Sequence, residues 1–385
     1  MSARPPLLSR RQALIGGCLL SAANTFAQPA RAADALDNLV IVQMAKSRVP
    51  GLALGIARNG KILGTRTYGF ADTDSRRRVT RDSMFHIASV TKTVTALAIM
   101  RLVDQGRITL DAAVAPYLDF AILGDEAASI TFRQLLMHTS GISDARYYEI
   151  DFRERGHDAR LPIGELLKSY LATDGRYVGT GNFNARPGTA WDYSNIGYGL
   201  LGYLGSRIAG RDLRLQTRDD IFRPLGLRHT AWSIAETPSH LRVTPYDIMD
   251  GRIAAVEPVG FPDWSAGMMR ASICDLTRLV AIAANSGIAE GKRIVSDAAV
   301  AAMLDMQRPA GLPSWLTGQG LAWQQSPLNG VPLANHWGGD PGVFTMAYVD
   351  PARRTGIAIL CNLSATAEIT SALKTIATAA MRIGE

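Results

Sequence analysis

Two runs of alternating character stand near the start of the chain, Leu52-Ala-Leu-Gly-Ile-Ala57 and Lys61-Ile-Leu-Gly-Thr-Arg-Thr-Tyr68. A period of two is the mark of a strand whose faces differ. Asn59-Gly60 joins the runs and supplies the positive φ angles of a tight turn, so the pair reads as a β-hairpin. A helical pattern precedes it over Asp37–Ala45. Thr93 to Val103 is apolar nearly all round, which predicts a helix sunk in the core, and Gly106 can close it in a left-handed cap.

From Asp111 to about Ala310 the signals are mostly helical, with Gly/Pro loops between. Phe132–His138, Ile196–Ile208 and Asp275–Asn285 are the clearest helices there. Strand patterns return at Gly320–Gln324, Val343–Val349 and Gly356–Leu363, and a helix from about Thr366 to Arg382 closes the chain. Strands at both ends with helices between predict an α/β (α+β) fold. Its antiparallel sheet would come from about residues 36–70 and 318–382, flanked by terminal helices, with a mostly helical insert over about 110–310.

The first 32 residues change this picture little, because they read as an address. They carry Arg4, Arg10, Arg11 and Arg31 without an acid, then a short apolar run from Ala13 to Ala23 and a small-x-small site at Ala30-Arg31-Ala32. That run is too short to cross a bilayer. Ser9-Arg10-Arg11 resembles a twin-arginine export signal, so residues 1–32 are expected to be a signal peptide and residues 33–385 a mature periplasmic or secreted domain. The formal charge of +7 falls to +3 once the leader's four arginines go. No basic run interleaved with aromatics remains to suggest nucleic acid. Of the two cysteines left, Cys361 lies in an apolar run, where a free buried thiol is the expected state.

Chemistry concentrates in three segments. The chain has six lysines, and two follow a serine by three residues: Ser89-Val-Thr-Lys92 and Ser371-Ala-Leu-Lys374. The second pair lies in the closing helix and reads as coincidence. Ser89 sits at the mouth of the buried helix, where free N–H groups and the helix dipole favour developing negative charge. Lys92 projects from the same face one turn on. Burial disfavours an ammonium, so Lys92 can be the neutral base that takes the serine proton. Tyr193-Ser-Asn195 places a phenol and an amide in a loop entering a helix. Read alone, these are a packed aromatic and a helix cap. Together with Ser89 they offer a proton relay, effective if nearby cations lower the phenol's pKa, and a substrate-binding amide that also holds Lys92. Asn335-His336-Trp337-Gly338-Gly339 stands just before a strand, where its glycines allow close backbone approach and an N–H can complete an oxyanion hole with that of Ser89.

Ser89-Val-Thr-Lys92, Tyr193-Ser-Asn195 and His336-Trp-Gly338 resemble, in order and rough spacing, the three motifs of the serine beta-lactamase and penicillin-binding-protein superfamily. The look is that of its class C beta-lactamase, D-alanyl-D-alanine carboxypeptidase and family VIII carboxylesterase branch. Leu135-Leu-Met-His-Thr-Ser-Gly141, Pro187-Gly188 and Arg223-Pro-Leu-Gly226 also resemble segments of that branch, and the similarity runs from about residue 36 to 382. The resemblance implies a beta-lactamase/transpeptidase-like fold without metal or cofactor. It also implies Ser89 as acylated nucleophile, Lys92 as base and Tyr193 as proton shuttle, with Asn195, His336, Trp337, Gly338 and Gly339 binding substrate.

One departure matters. Relatives that destroy beta-lactams carry Lys-Thr-Gly in the third motif. Here either His336 or Trp337 takes the lysine place, and the permanent cation and the hydroxyl are both missing. A small uncharged ester or amide is therefore the expected substrate, as in a carboxylesterase. A D-alanyl-D-alanine carboxypeptidase, another D-peptidase or a weak beta-lactamase stands as the alternative, and a non-catalytic cell-wall or ligand-binding protein as a reading of another class. Gly197-Tyr-Gly-Leu-Leu-Gly202 spells a dinucleotide fingerprint, but it lies inside a predicted helix with no strand before it. His86 and His138 fall near the site and read as core histidines.

Overall fold

The computed structural model describes residues 27–383. The leader read over residues 1–32 lies mainly outside them. Helix α1 spans Ala27–Ser47, enclosing the expected Asp37–Ala45. Strands β1 (Gly51–Arg58) and β2 (Lys61–Asp72) form the expected hairpin, and Asn59 and Gly60 have φ of 51° and 75°. β3 is the short Arg77–Arg78. The later sheet strands are β4 (Gly318–Gln319), β5 (Gln324–Leu328), β6 (Val331–Asp340), β7 (Val343–Asp350) and β8 (Thr355–Cys361).

They join one antiparallel sheet in the order β4-β5-β6-β7-β8-β1-β2-β3. The seam between the two ends of the chain is the β1–β8 pairing, with Leu54 opposite Ile359.

The alternation in β1 follows from what covers each face. Leu52, Leu54 and Ile56 enter one core cluster with Ile357 and Ile359 of β8, beneath α1 and the closing helix α5, Ala367–Met381. Ala53 and Ala57 face the other way, toward α4, Ile273–Ala284. α4 lies so close that a Cβ on Gly55 would sit 1.8 Å from Thr277 Oγ1, and one on Gly356 would sit 2.7 Å from Val280 Cγ1. Small residues on that face are the condition for the helix to dock.

Helix α2 (Thr91–Asp104) is the predicted interior helix, with every residue from Thr91 to Met100 buried. Gly106 closes it with φ 68°. Helix α3 (Asn195–Ala209) packs on α2. The fingerprint-like glycines lie inside α3, where they serve close packing: a Cβ on Gly202 would meet Ser265 Oγ at 2.2 Å.

Two expectations need correction. The third motif does not precede a strand; it lies within β6. Pro332, Asn335 and the two glycines hide that strand, which pairing with β5 and β7 creates. Residues 320–323 form the turn between β4 and β5, with Ala322 at φ 66°, and the strand begins at Gln324. The insert also holds several two- to four-residue strands among its helices, such as Arg270–Ala271, which pairs with Phe85–His86. Among the described residues, Cys274 and Cys361 are free.

Candidate active site

Ser89 lies on a 3₁₀ turn, Ala88–Val90, that leads straight into α2. Ala88 holds φ 43°, a left-handed conformation unusual for a residue with a side chain. One turn on, the Lys92 side chain is fully buried. Its Nζ lies 3.2 Å from Ser89 Oγ, 2.7 Å from Asn195 Oδ1 and 2.7 Å from the Ala266 carbonyl oxygen. Asn195 Nδ2 donates to Tyr148 Oη at 2.7 Å, which fixes the amide with its oxygen toward the lysine. Burial pushes the amine down to about 7, against the pull of Asp263, Asp144 and Asp340. A neutral amine has two N–H bonds and one lone pair. Asn195 and Ala266 offer only acceptor atoms and take both N–H bonds, so the lone pair is left for the Ser89 hydroxyl.

Tyr193 stands in the loop before α3. Ser194, and not Asn195, caps that helix, accepting from Gly197 N. Below the cap, Asp144 accepts from Ser194 Oγ, Asn195 N and Ile196 N and so anchors the whole Tyr-Ser-Asn segment. Burial pushes the Tyr193 phenol well above its ordinary value, and a hydrogen bond with Ser89 opposes this only in part. No nearby cation acidifies the phenol: Lys92 and His336 are both driven toward their neutral forms by burial. Tyr193 is a neutral phenol beside the serine.

Alternation along β6 resolves the third motif. His336 Nδ1 lies 2.6 Å from the Ala322 carbonyl, which can only accept, so Nδ1 carries the proton. The bare Nε2 then faces Tyr193 Oη at 3.4 Å. His336 therefore takes the place opposite Tyr193, and burial holds it neutral, down to about 3. Trp337 turns its ring to the other face, toward Phe344 and Tyr348, with Lys374 Nζ 4.8 Å above it and Trp315 stacked beside it at the cleft wall. Lys374 of the second Ser-x-x-Lys thus packs on a tryptophan.

Gly338 faces Ser89 so closely that a Cβ would lie 2.9 Å from Ser89 N and 2.3 Å from the Ile87 carbonyl oxygen. Strand β5 stops pairing at Asn335, so the β6 edge beyond it opens on the cleft and Gly339 lines it. The N–H groups of that edge and of Ser89 are the available donors for an oxyanion.

Ser89, Tyr193, Asn195, His336 and Gly339 line a cavity of about 410 Å³. Several of its residues carry no signal in the sequence as read: Tyr148, Asp263 with its Tyr147 hydrogen bond, Arg153 and Asp340. Asp340 could have been found by carrying the β6 alternation two residues past Gly338. His138 is a buried core histidine that accepts from Ser194 N and stacks on Tyr193 with ring centres 4.3 Å apart. Among the described residues no cluster suited to a metal ion occurs.

Comparison with known proteins agrees with this architecture. The beta-lactamase family model matches residues 36–380. Penicillin-binding protein 4 of Amycolatopsis lactamdurans is 30% identical over 82% of this chain and 81% of its own. Esterase EstB of Burkholderia gladioli is 30% identical over 66% of this chain and 70% of its own. Among solved structures, the D-amino acid amidase of Ochrobactrum anthropi SV3 superposes with a TM-score of 0.74 at 21% identity, covering 91% of this chain and 98% of that one. With the family matched over nearly the whole described chain, and a relative of 30% identity spanning most of it, the chain belongs to the beta-lactamase family of serine hydrolases.

Proposed function

We propose that the protein hydrolyses small esters or amides that lack a carboxylate near the scissile bond, through an acyl-enzyme on Ser89. The observation that carries this reading is the saturated environment of Lys92, whose two N–H bonds are engaged and whose lone pair faces the serine. In the proposed sequence Ser89 Oγ attacks the carbonyl carbon while its proton passes to Lys92 Nζ. The oxyanion collapses and expels the leaving group, which receives the proton through Tyr193. Water then attacks the acyl-enzyme, gives a proton back along the same route, and Ser89 leaves as the alcohol.

The neutral His336 opposite Tyr193 supports the choice of substrate, since no permanent charge stands there to hold a carboxylate. The esterase among the relatives supports it as well.

The test is a panel of p-nitrophenyl esters, D-alanyl peptides and nitrocefin, run on wild type and Ser89→Ala, with a fluorophosphonate probe read by intact mass. Ester turnover and a single adduct, both lost in Ser89→Ala, are expected. Turnover confined to nitrocefin or D-alanyl peptides would transfer the assignment to those substrates, and an adduct that survives Ser89→Ala would refute Ser89 as nucleophile.

A further inference from the structure

Asp340 stands out from the other acids of the cleft. It shares a face of β6 with His336 and Gly338. Its side chain is 14% exposed, and its Oδ2 is buried without a hydrogen-bond partner. The charges around it are already committed elsewhere. Arg153 binds Asp151 through both Nε and Nη2. Arg270 donates to the Met268 and Val259 carbonyls. Asp263 is hydrogen-bonded to Tyr147, and Lys92 is held by Asn195 and Ala266. Among the described residues neither arginine forms an ion pair with Asp340.

His86 stands beside Asp340. Its Nε2 lies 2.7 Å from the Gly267 carbonyl, so Nε2 carries the proton and Nδ1 is a bare acceptor. That Nδ1 faces Asp340 Oδ2 at 4.0 Å. When Asp340 is ionised, two acceptors are set against each other at this spacing with no donor of the described residues between them. A single ammonium, with its diverging N–H bonds, can donate to both.

The position along the strand says which part of a substrate such a donor belongs to. Tyr193, which serves the leaving group, contacts His336 at one end of the cleft. Asp340 lies four residues further along β6, roughly 13 Å away at strand rise, and Gly338 beside Ser89 stands midway. Asp340 is therefore on the acyl side of the nucleophile, roughly 7 Å beyond Gly338. An amino group one or two bonds from the carbonyl carbon falls within this reach. Phe261, whose ring lies 6.4 Å from that of His86, and Tyr148 line the same cleft and offer π faces to a cation.

We propose that Asp340, with His86 Nδ1, forms an acyl-side subsite for a primary ammonium, so that the favoured substrates are aminoacyl esters or amides with a free amine. This rests on the reading of Ser89 as the acylated nucleophile and adds the chemical class of the acyl group. Burial pushes the Asp340 carboxyl up to about 7, so the anion that attracts an ammonium prevails above neutrality.

The experiment compares alanine p-nitrophenyl ester, in D and L forms, with its N-acetyl and propionyl counterparts at pH 8, in wild type, Asp340→Asn and Asp340→Ala. Wild type is expected to favour the free amine in kcat/KM by about tenfold or more, as hydrogen bonds to a buried charge do. Both variants should collapse that ratio toward one, whatever happens to the rate common to all the esters. Fluorophosphonate labelling of Ser89 in each variant reports that the site is folded. Propionyl turnover with no preference for the amine, or a preference that persists in Asp340→Asn, overturns the subsite alone. Absence of Ser89-dependent turnover on every ester overturns the underlying hydrolase reading instead.

Discussion

Lys92 is taken out of water with acids at a distance and not in contact. Asp263, Asp144 and Asp340 each pull its proton affinity up, and burial outweighs them. Had one carboxylate touched the amine, the ion pair would have kept it charged and useless as a base. The consequence is a rate that depends on pH with a definite sign. A lowered lysine pKa leaves the amine neutral above about 7, so with Lys92 as the proposed base kcat/KM should rise through that region and be lost as acid restores the ammonium. The acids titrate nearby, so the apparent value belongs to the cluster. Asp263→Asn removes an anion that favours the ammonium, while the amide oxygen can still accept from Tyr147. The acid limb of its pH–rate profile should move to lower pH, and a shift upward would refute the argument. Lys92→Met should lower kcat/KM by about 10²–10⁴. The pair Ser89 and Lys92 was legible because three residues of helix fix the geometry locally. Asp144, Asp263 and Tyr148 were not, since each acquires meaning only through a chain segment far away in sequence. The condition on which Tyr193 would be acidified, a nearby cation, is not met for a related reason: burial favours the neutral forms of Lys92 and His336.

At the scale of elements, β6 does most to shape the cleft. Its sequence looks unlike a strand, yet each anomaly matches a neighbour. Gly338 is the clearest, because the turn carrying Ser89 presses on it. Gly338→Ala should force the turn and strand apart by several tenths of an ångström or more. The expected outcome is loss of kcat/KM by about 100-fold, the scale of a misplaced oxyanion donor, with thermal stability changed far less. Unchanged turnover in this variant would show that the strand does not shape the oxyanion site. Sequence patterning found β7 and β8 readily, because they sit in the sheet interior with apolar side chains on both faces, and the hairpin because alternation and Asn59-Gly60 mark it. It missed the start of β5 and the whole of β6, whose prolines and glycines are tolerated only because of what lies against them.

Across the molecule, one sheet unites the two ends of the chain, and the β1–β8 seam runs through its centre. Leu54 is buried there between α1 and α5 with Ile359 as its cross-strand partner. Leu54→Ala should cost about 2–5 kcal/mol of stability, measured by denaturant unfolding. Fluorophosphonate labelling per folded molecule should stay as in wild type, because the outer face of the sheet lies on the opposite side from the cleft. A variant that loses labelling in proportion to folded protein would show that the two faces are coupled. The overall architecture was readable from the order of strand and helix signals, since that order alone dictates where a sheet made of two separated segments must close.

The seam also sets the moment at which the enzyme becomes capable of chemistry. The serine is synthesised early, but the wall that completes its cleft, β6, is among the last segments to be made, and one of its two neighbours in the sheet, β7, is made after it. A nascent chain still tethered to the ribosome therefore carries Ser89 and Lys92 before the β6 wall of the cleft exists. The order of the chain thus makes completion of the cleft a late event of synthesis.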